Sequence, residues 1–375
     1  MTEASPPPPL PSLYRDCSLD DLGDEALWQK ICPFLTCSVE PFSSRGGGST
    51  IRPALAASAA GQLQTRGYFS IDAAHFDFVE RQTHLVALLA RGVMELMRHG
   101  FPPLFVLLYD EAWELTRIVE QFIPGTCGGH SHVGDFFVFA VLNAEEQQAM
   151  GVDAYVATYR PSGPHRDRPT AGPASFDAKV PAYVSIWLAL SDATTNNSCL
   201  YVVPLAQDAG YYLAGDGDQN GNVPLRIDAC IAQPLKQGGM LCFSHRLLHW
   251  GSALEQWALE EEDREKAPNV SLPRIAFTTA FSKNSFEAPY FCHERFPLDG
   301  TTPLALRLGL VAGQSIQYEH LNKLTKHQLA LTRRIFHAQK SVLAECYYEK
   351  ISNACQMLTF LKQRERGGDS RDGYF

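Results

Sequence analysis

Read for the spacing of its apolar residues, the chain has a helical first part, a strand-rich middle and a helical end. Behind Asp24, the residues Leu27, Trp28, Ile31 and Leu35 recur near helical spacing and predict a short amphipathic helix with an Asp cap. Phe78, Leu85, Leu88, Leu89, Val93 and Leu96 recur in steps of three and four, which predicts a long helix over 74–99, and a second helix is expected over 110–122. Each has one apolar stripe to bury, so both should lie against a sheet.

In the middle the period shortens. Alternation over 153–160 and compact apolar runs at 136–141, 183–190, 199–203, 226–232, 239–243 and 274–281 predict strands, separated by Gly, Pro and Asn turns. Many short strands punctuated in this way give an antiparallel sandwich or barrel, so the fold class is α+β with a β core flanked by helices. The Gly-, Asp- and Asn-rich 208–223 is a long loop, and its faint likeness to a calcium loop lacks the closing Glu. Leu321, Leu324, Gln328, Leu331, Ile335 and Ala338, then Leu343, Tyr347, Ile351, Ala354, Leu358 and Leu361, mark near-heptad stripes. Such helices cap their own sheet or pair with another chain, which leaves an oligomer through the C-terminal helices open. The domain plan is a disordered Pro-rich lead-in at 1–20, one large domain at 21–300 and a C-terminal helical extension packed on it at 301–366.

Composition narrows the partners. A chain of 375 residues, 45% hydrophobic, can bury a large core. A formal charge of -9 and a pI near 5.7 supply no basic field for a phosphate backbone, so nucleic acid is not expected. The ten Cys are scattered without CxxC pairs and read as reduced thiols. The most apolar window, 101–108, is too short for a bilayer. The Pro-rich start has no signal-peptide pattern and the last residues are not a Ser-Lys-Leu address, so a cytoplasmic location is expected. The Gly46-Gly47-Gly48 loop lacks the Gly-Lys-Ser/Thr ending of a phosphate cradle.

The chemistry centres on His165-Arg166-Asp167. On a strand, residues two apart project from one face, so this His and Asp can reach one ion, and a distant His completes a set of three. Two neutral imidazoles and a carboxylate hold ferrous iron while leaving about three cis positions open. The run Phe243 to Ser252 supplies the third donor from His249 or His245. His130 and His132 with Asp135 form a second, weaker candidate in a Gly-rich loop. Arg160, Arg166 and Arg168 cluster about the site, either to attract an anionic small-molecule substrate or as salt-bridged structure.

Three blocks in this order carry a resemblance: His165-Arg166-Asp167; Val184 to Ala193 leading to Asn197-Ser198-Cys199-Leu200-Tyr201-Val202-Val203-Pro204; and Gly239 to Ser252 with Arg274-Ile275-Ala276-Phe277. From about Leu63 to Phe281 the chain resembles the phytanoyl-CoA dioxygenase family of iron(II)- and 2-oxoglutarate-dependent oxygenases, whose core is a double-stranded β-helix, or cupin-like jelly roll. The resemblance implies that 21–300 is a dioxygenase domain using Fe(II), 2-oxoglutarate and O2. It makes His249, followed by the Gly251-Ser252 pair, the third ligand beside His165 and Asp167. It also implies that Arg274 grips the distal carboxylate of 2-oxoglutarate through a guanidinium fork, with Ser252 adding a hydroxyl and Trp187 walling the cosubstrate; a core aromatic is the plain alternative for Trp187. The activity implied is hydroxylation of an unactivated C–H bond with release of succinate and CO2, the retained Asp167 arguing against halogenation. Departures from the family pattern are Trp250 after His249, Pro204-Leu205-Ala206-Gln207 in place of Pro-Gly-Ser-His, and an acidic insertion around Glu260 to Glu265, whose Arg264 competes with Arg274. The other class of reading is a non-catalytic jelly roll that binds a metal, a small molecule or a protein.

Overall fold

The computed structural model describes residues 17–38, 53–75, 79–142, 163–177, 179–213, 227–251, 273–292, 302–319, 324 and 326–368. The expected strand at 153–160, Arg160, Ser252, Arg264, the Gly46–Gly48 loop and the Pro-rich first residues lie outside them.

Two short helices open the described chain, α1 (Leu19–Gly23) and α2 (Glu25–Ile31). Ser18 and Asp21 cap α1 reciprocally, and the Asp24 side chain accepts from Ala26 N at 2.9 Å, the cap its position predicts. The helix α3 (Pro53–Arg66) has no counterpart in the sequence reading, because its Ala-rich run has high helix propensity but no apolar stripe. Then come α4 (Val79–Arg98), α5 (Asp110–Glu120) and the single turn α6 (Ile123–Thr126), and at the C-terminal end α7 (Leu304–Gln317), α8 (Lys326–Ala338) and α9 (Glu345–Gly368). Among the described residues no helix is long and apolar enough to cross a membrane.

The strands are β1 (Tyr68–Ile71), β2 (Ser131–Val141), β3 (Phe176–Asp177), β4 (Val180–Pro181), β5 (Tyr183–Ala189), β6 (Leu200–Val203), β7 (Ile231–Gln233), β8 (Met240–Ser244), β9 (Leu248–Gly251) and β10 (Arg274–Ser282). Five form one antiparallel sheet in the order β1-β8-β5-β10-β2; three form a second in the order β7-β6-β9; β3 and β4 pair alone. β2 begins five residues before the expected run, so His132 and Asp135 sit on a strand and not in a loop. Of the expected 226–232, only the end is strand, because Ile227–Ala229 is a 3-10 turn.

Both faces of the five-stranded sheet are buried, and side chains alternate between two cores. On β5, Val184, Ile186 and Leu188 join the core shared with the helices, whereas Trp187 and Ala189 join a smaller one with Leu200 and Val202 of the second sheet. β8 and β10 alternate likewise, sending Leu241, Phe243 and Ala276 to the smaller core. The helix-side core also takes Leu306 and Leu310, and with them Leu331, Ile335, Tyr347 and Ile351, so these last four, all stripe residues, are buried against their own chain. A buried ion pair between Arg307 and Asp110 at 2.5 Å ties α7 to the start of α5.

Candidate active site

The smaller core opens into a cavity of about 400 Å³. His165, Asp167 and His249 line it together with Arg274, Trp187, Ser185, Phe139 and Tyr318. The three proposed ligands thus share one cavity with the proposed cosubstrate anchor.

His165 is not carried within a regular strand among the described residues; it makes an isolated bridge to β9, exchanging both backbone hydrogen bonds with His249 at 3.0 Å. That pairing sets the two imidazoles side by side, with ring centroids 4.4 Å apart. Each ring is oriented from behind, His165 Nδ1 lying 2.8 Å from the Gly163 carbonyl and His249 Nδ1 3.0 Å from the Leu247 carbonyl. A carbonyl only accepts, so Nδ1 carries the proton and Nε2 the lone pair, the tautomer a metal ligand requires. Both Nε2 atoms face Asp167 Oδ1, at 4.0 Å from His165 and 3.6 Å from His249. The other carboxylate oxygen, Oδ2, accepts from the Ser185 hydroxyl on β5. One donor atom from each of the three residues lies within 4.8 Å of the others.

The protonation states match. Burial, with the neighbouring His165, pushes His249 down to about 4, so its imidazole is neutral at pH 7. For Asp167, burial acts to raise the carboxyl, but His249, His165, the Ser185 hydroxyl and Arg168 outweigh it and hold the group below its ordinary value. The sequence rival His245 is elsewhere. It is buried, stacked on Phe176 at 5.3 Å, with Nε2 2.9 Å from the Ser175 hydroxyl. His132 packs among Phe136, Phe281 and Phe291 and hydrogen-bonds Thr279 at 2.6 Å, while His130 lies between the Gly128 and Pro181 carbonyls. Neither joins the His-Asp-His group.

Arg274, at the start of β10, is 1% exposed; its Nη2 donates to the Ser198 hydroxyl at 3.1 Å and its guanidinium lies 4.5 Å from the Phe139 ring and 5.7 Å from that of Trp187. Ser198 has φ +74°, a strained conformation that turns the chain between Asn197 and Cys199. Sequence reasoning passed over it as a site residue, although it stands inside the second motif block. Trp187 is 2% exposed and its indole N–H has no hydrogen-bond partner among the described residues. A buried unpaired donor on a cavity wall suits a ligand that supplies an acceptor. The donor set therefore fits a divalent iron with open positions, and the arginine, Ser198 and Trp187 fit an acidic cosubstrate.

The neighbouring Arg166 and Arg168 are both ion-paired within the chain. Arg166, 5% exposed, makes a bidentate pair with Asp208 at 2.6 and 2.9 Å and also reaches the Arg246 carbonyl. Arg168 is held by Glu287 at 2.8 Å and Asp135 at 3.0 Å. Arg246, fully buried and not foreseen from sequence, donates to the carbonyls of Arg168, Pro169, Gly210, Tyr211 and Leu213, binding the ligand loop to the segment after Asp208.

No family model matches the chain, and no curated protein is significantly similar to it. Among solved structures 148 chains match. They include the non-heme alpha-ketoglutarate-dependent epimerase SnoN from nogalamycin biosynthesis, 16% identical, with 61% of this chain and 83% of that one covered at a TM-score of 0.39. SnoN has also been solved with Fe3+, alpha-ketoglutarate and nogalamycin RO. The carbocyclase SnoK from the same biosynthesis is 15% identical, with 63% and 87% covered at 0.40. EctD from S. alaskensis is 12% identical, with 67% and 84% covered at 0.38. It is the site, and not a likeness of this degree, that bears on the chemistry.

Proposed function

We propose that the protein is an Fe(II)- and 2-oxoglutarate-dependent oxygenase of the phytanoyl-CoA dioxygenase type, built on a double-stranded β-helix whose two sheets enclose the site. One observation carries this reading: a His-Asp-His group shares a cavity with a buried arginine. His165, Asp167 and His249 would hold the iron, and Arg274 with Ser198 would receive the far carboxylate of 2-oxoglutarate. Iron with this cosubstrate and O2 would supply an oxidant able to take hydrogen from an unactivated C–H bond, one oxygen atom of O2 passing into succinate as CO2 is released.

The chain's own residues do the rest. The Gly163 and Leu247 carbonyls keep both imidazoles in the ligating tautomer, and Ser185 fixes which Asp167 oxygen faces them. Phe137, Phe139, Trp187 and Phe243 wall the cavity and exclude water. Because Arg166 and Arg168 already answer buried carboxylates, they add little charge to attract an anion, and we favour a small, largely apolar substrate. Hydroxylation is the favoured outcome. The ten cysteines are thiols, the form a reducing cytosol maintains, and we place the enzyme there.

The test is anaerobic addition of Fe(II) with and without 2-oxoglutarate. The reading expects a visible metal-to-ligand absorption band only with both, and slow succinate formation on admitting oxygen. Asp167→Ala should abolish band and succinate alike. Iron-loaded protein that shows no band would return the chain to the binding-module class.

A further inference from the structure

We propose that Arg168 is a positioning residue for Asp167, held by a charged cage that the C-terminal helices complete, so that these helices are a working part of the site. This rests on reading His165, Asp167 and His249 as the metal ligands.

Arg168 follows Asp167 directly, and its backbone and its side chain both hold the peptide between them. Its backbone N–H donates to the His245 carbonyl at 3.1 Å, and its Nη1 donates to the Asp167 carbonyl at 3.1 Å. The rest of the guanidinium is engaged: Nε with Glu287 at 2.8 Å, Nη2 with Asp135 at 3.0 Å and the Tyr183 hydroxyl at 3.1 Å. The peptide between Asp167 and Arg168 is thereby fixed to four other parts of the chain, at Asp135, Tyr183, His245 and Glu287.

Asp135 stands where it does because β2 bulges. Phe136 pairs with Thr279 and His132 with Phe281, so Val133, Gly134 and Asp135 stand opposite the single residue Ala280. Gly134 has φ +86°, and a side chain there would come within 3.0 Å of Phe291, so only glycine fits the bulge. The bulge turns Asp135 into the cavity wall, where it accepts from Tyr183 at 3.0 Å and from Tyr318 at 2.9 Å.

Tyr318 is the C-cap of α7, and it too lines the cavity, edge-on to Phe137. α9 meets the other carboxylate: Lys350 Nζ is 3.5 Å from Glu287, while Tyr347 stacks at 4.1 Å on Tyr290, whose hydroxyl donates to Glu287 at 2.5 Å. Two cations, Arg168 and Lys350, thus balance two carboxylates, Asp135 and Glu287. A satisfied network of this kind, largely buried and open to solvent chiefly at Lys350, rigidifies what it touches, and what it touches here is the backbone of a ligand.

Cobalt(II) added to the full-length protein is the probe, read by its visible spectrum and by calorimetric affinity. Outer partners of metal ligands alter affinity by about 10–100-fold. Tyr318→Phe keeps the ring but loses the hydroxyl, and should weaken Co(II) binding by about tenfold and shift its spectrum while the protein stays folded, with a smaller fall in thermal midpoint than Arg168→Met. Arg168→Met should weaken it further and Arg168→Lys recover part of the loss. Asp167→Ala must abolish binding; if it binds cobalt as wild type does, the metal reading beneath the proposal falls. If Asp167→Ala fails to bind while folded Tyr318→Phe and Arg168→Met bind within threefold of wild type with an unshifted spectrum, the positioning role alone is overturned. Should Arg168→Met not fold, Tyr318→Phe decides.

Discussion

Replacing Arg274 by Met tests the cosubstrate end of the site without touching the three ligands. The side chain is 1% exposed, with aromatic ring faces 4.5 and 5.7 Å from its guanidinium. Without it, the far carboxylate of 2-oxoglutarate would be desolvated against Phe139 and Trp187. Truncating one partner of a buried, hydrogen-bonded charge pair costs about 2–5 kcal/mol, or about 30-fold to several thousand-fold in Kd. Lys at the same position keeps the charge but loses the planar fork, so Arg274→Lys should fall between wild type and Arg274→Met. The assay is an anaerobic 2-oxoglutarate titration of Fe(II)-loaded protein followed at the visible band, with cobalt affinity as the control. Weaker 2-oxoglutarate binding with cobalt affinity held within threefold is the expected result. An Arg274→Met variant that binds 2-oxoglutarate within threefold of wild type would refute the assignment.

Two further predictions concern stability. Arg166→Met strands Asp208, 9% exposed, without its bidentate partner and should cost about 3–5 kcal/mol in chemical denaturation. Replacing Asp208 by Asn in the same chain should recover part of that, and a loss below about 1 kcal/mol would show that the pair is not needed. Burial pushes both His245 and His249 down to about 4, so the folded protein binds fewer protons than the unfolded chain between that value and the unfolded pKa near 6.5. Their contribution is intact above about 6.5 and is lost as pH falls toward about 4, on the order of 2 kcal/mol for each group by pH 5. Urea midpoints of the metal-free protein should therefore drop between pH 7 and pH 5, less steeply in His245→Phe; equal slopes would contradict the burial argument.

What could be read from the sequence depended on how local its cause was. The stripe behind Asp24 and the long stripe of α4 announced helices because the periodicity is contained in the element. α3 gave no such signal, its Ala-rich run carrying no clear apolar stripe. The strands of the main sheet were legible as apolar runs, but with both faces buried the runs did not say which residues face the cavity. His165 and Asp167 stood out because two donors two apart are conspicuous, and the structure brings both to His249 and leaves His245 in an aromatic pocket. The roles of Arg166 and Arg168 were undecidable from sequence: their carboxylate partners Asp208, Asp135 and Glu287 lie 42, 33 and 119 residues away. Asp135 looked like part of a loop because nothing local marks a β-bulge except one glycine.

Arg246 bears on the order in which this protein becomes whole. Its five carbonyl partners lie 33 to 78 residues away along the chain, on both sides of the segment that enters β6. Contacts of such span form only after the intervening chain has closed, and closure of long loops is slow relative to local structure. The ligand loop should therefore acquire its shape later than the helices, with competence to bind cobalt lagging behind recovery of far-ultraviolet circular dichroism. Arg246→Lys, which has one nitrogen where five bonds are needed, should lengthen that lag and leave the amides of 165–168 exchanging with solvent faster than those of β5.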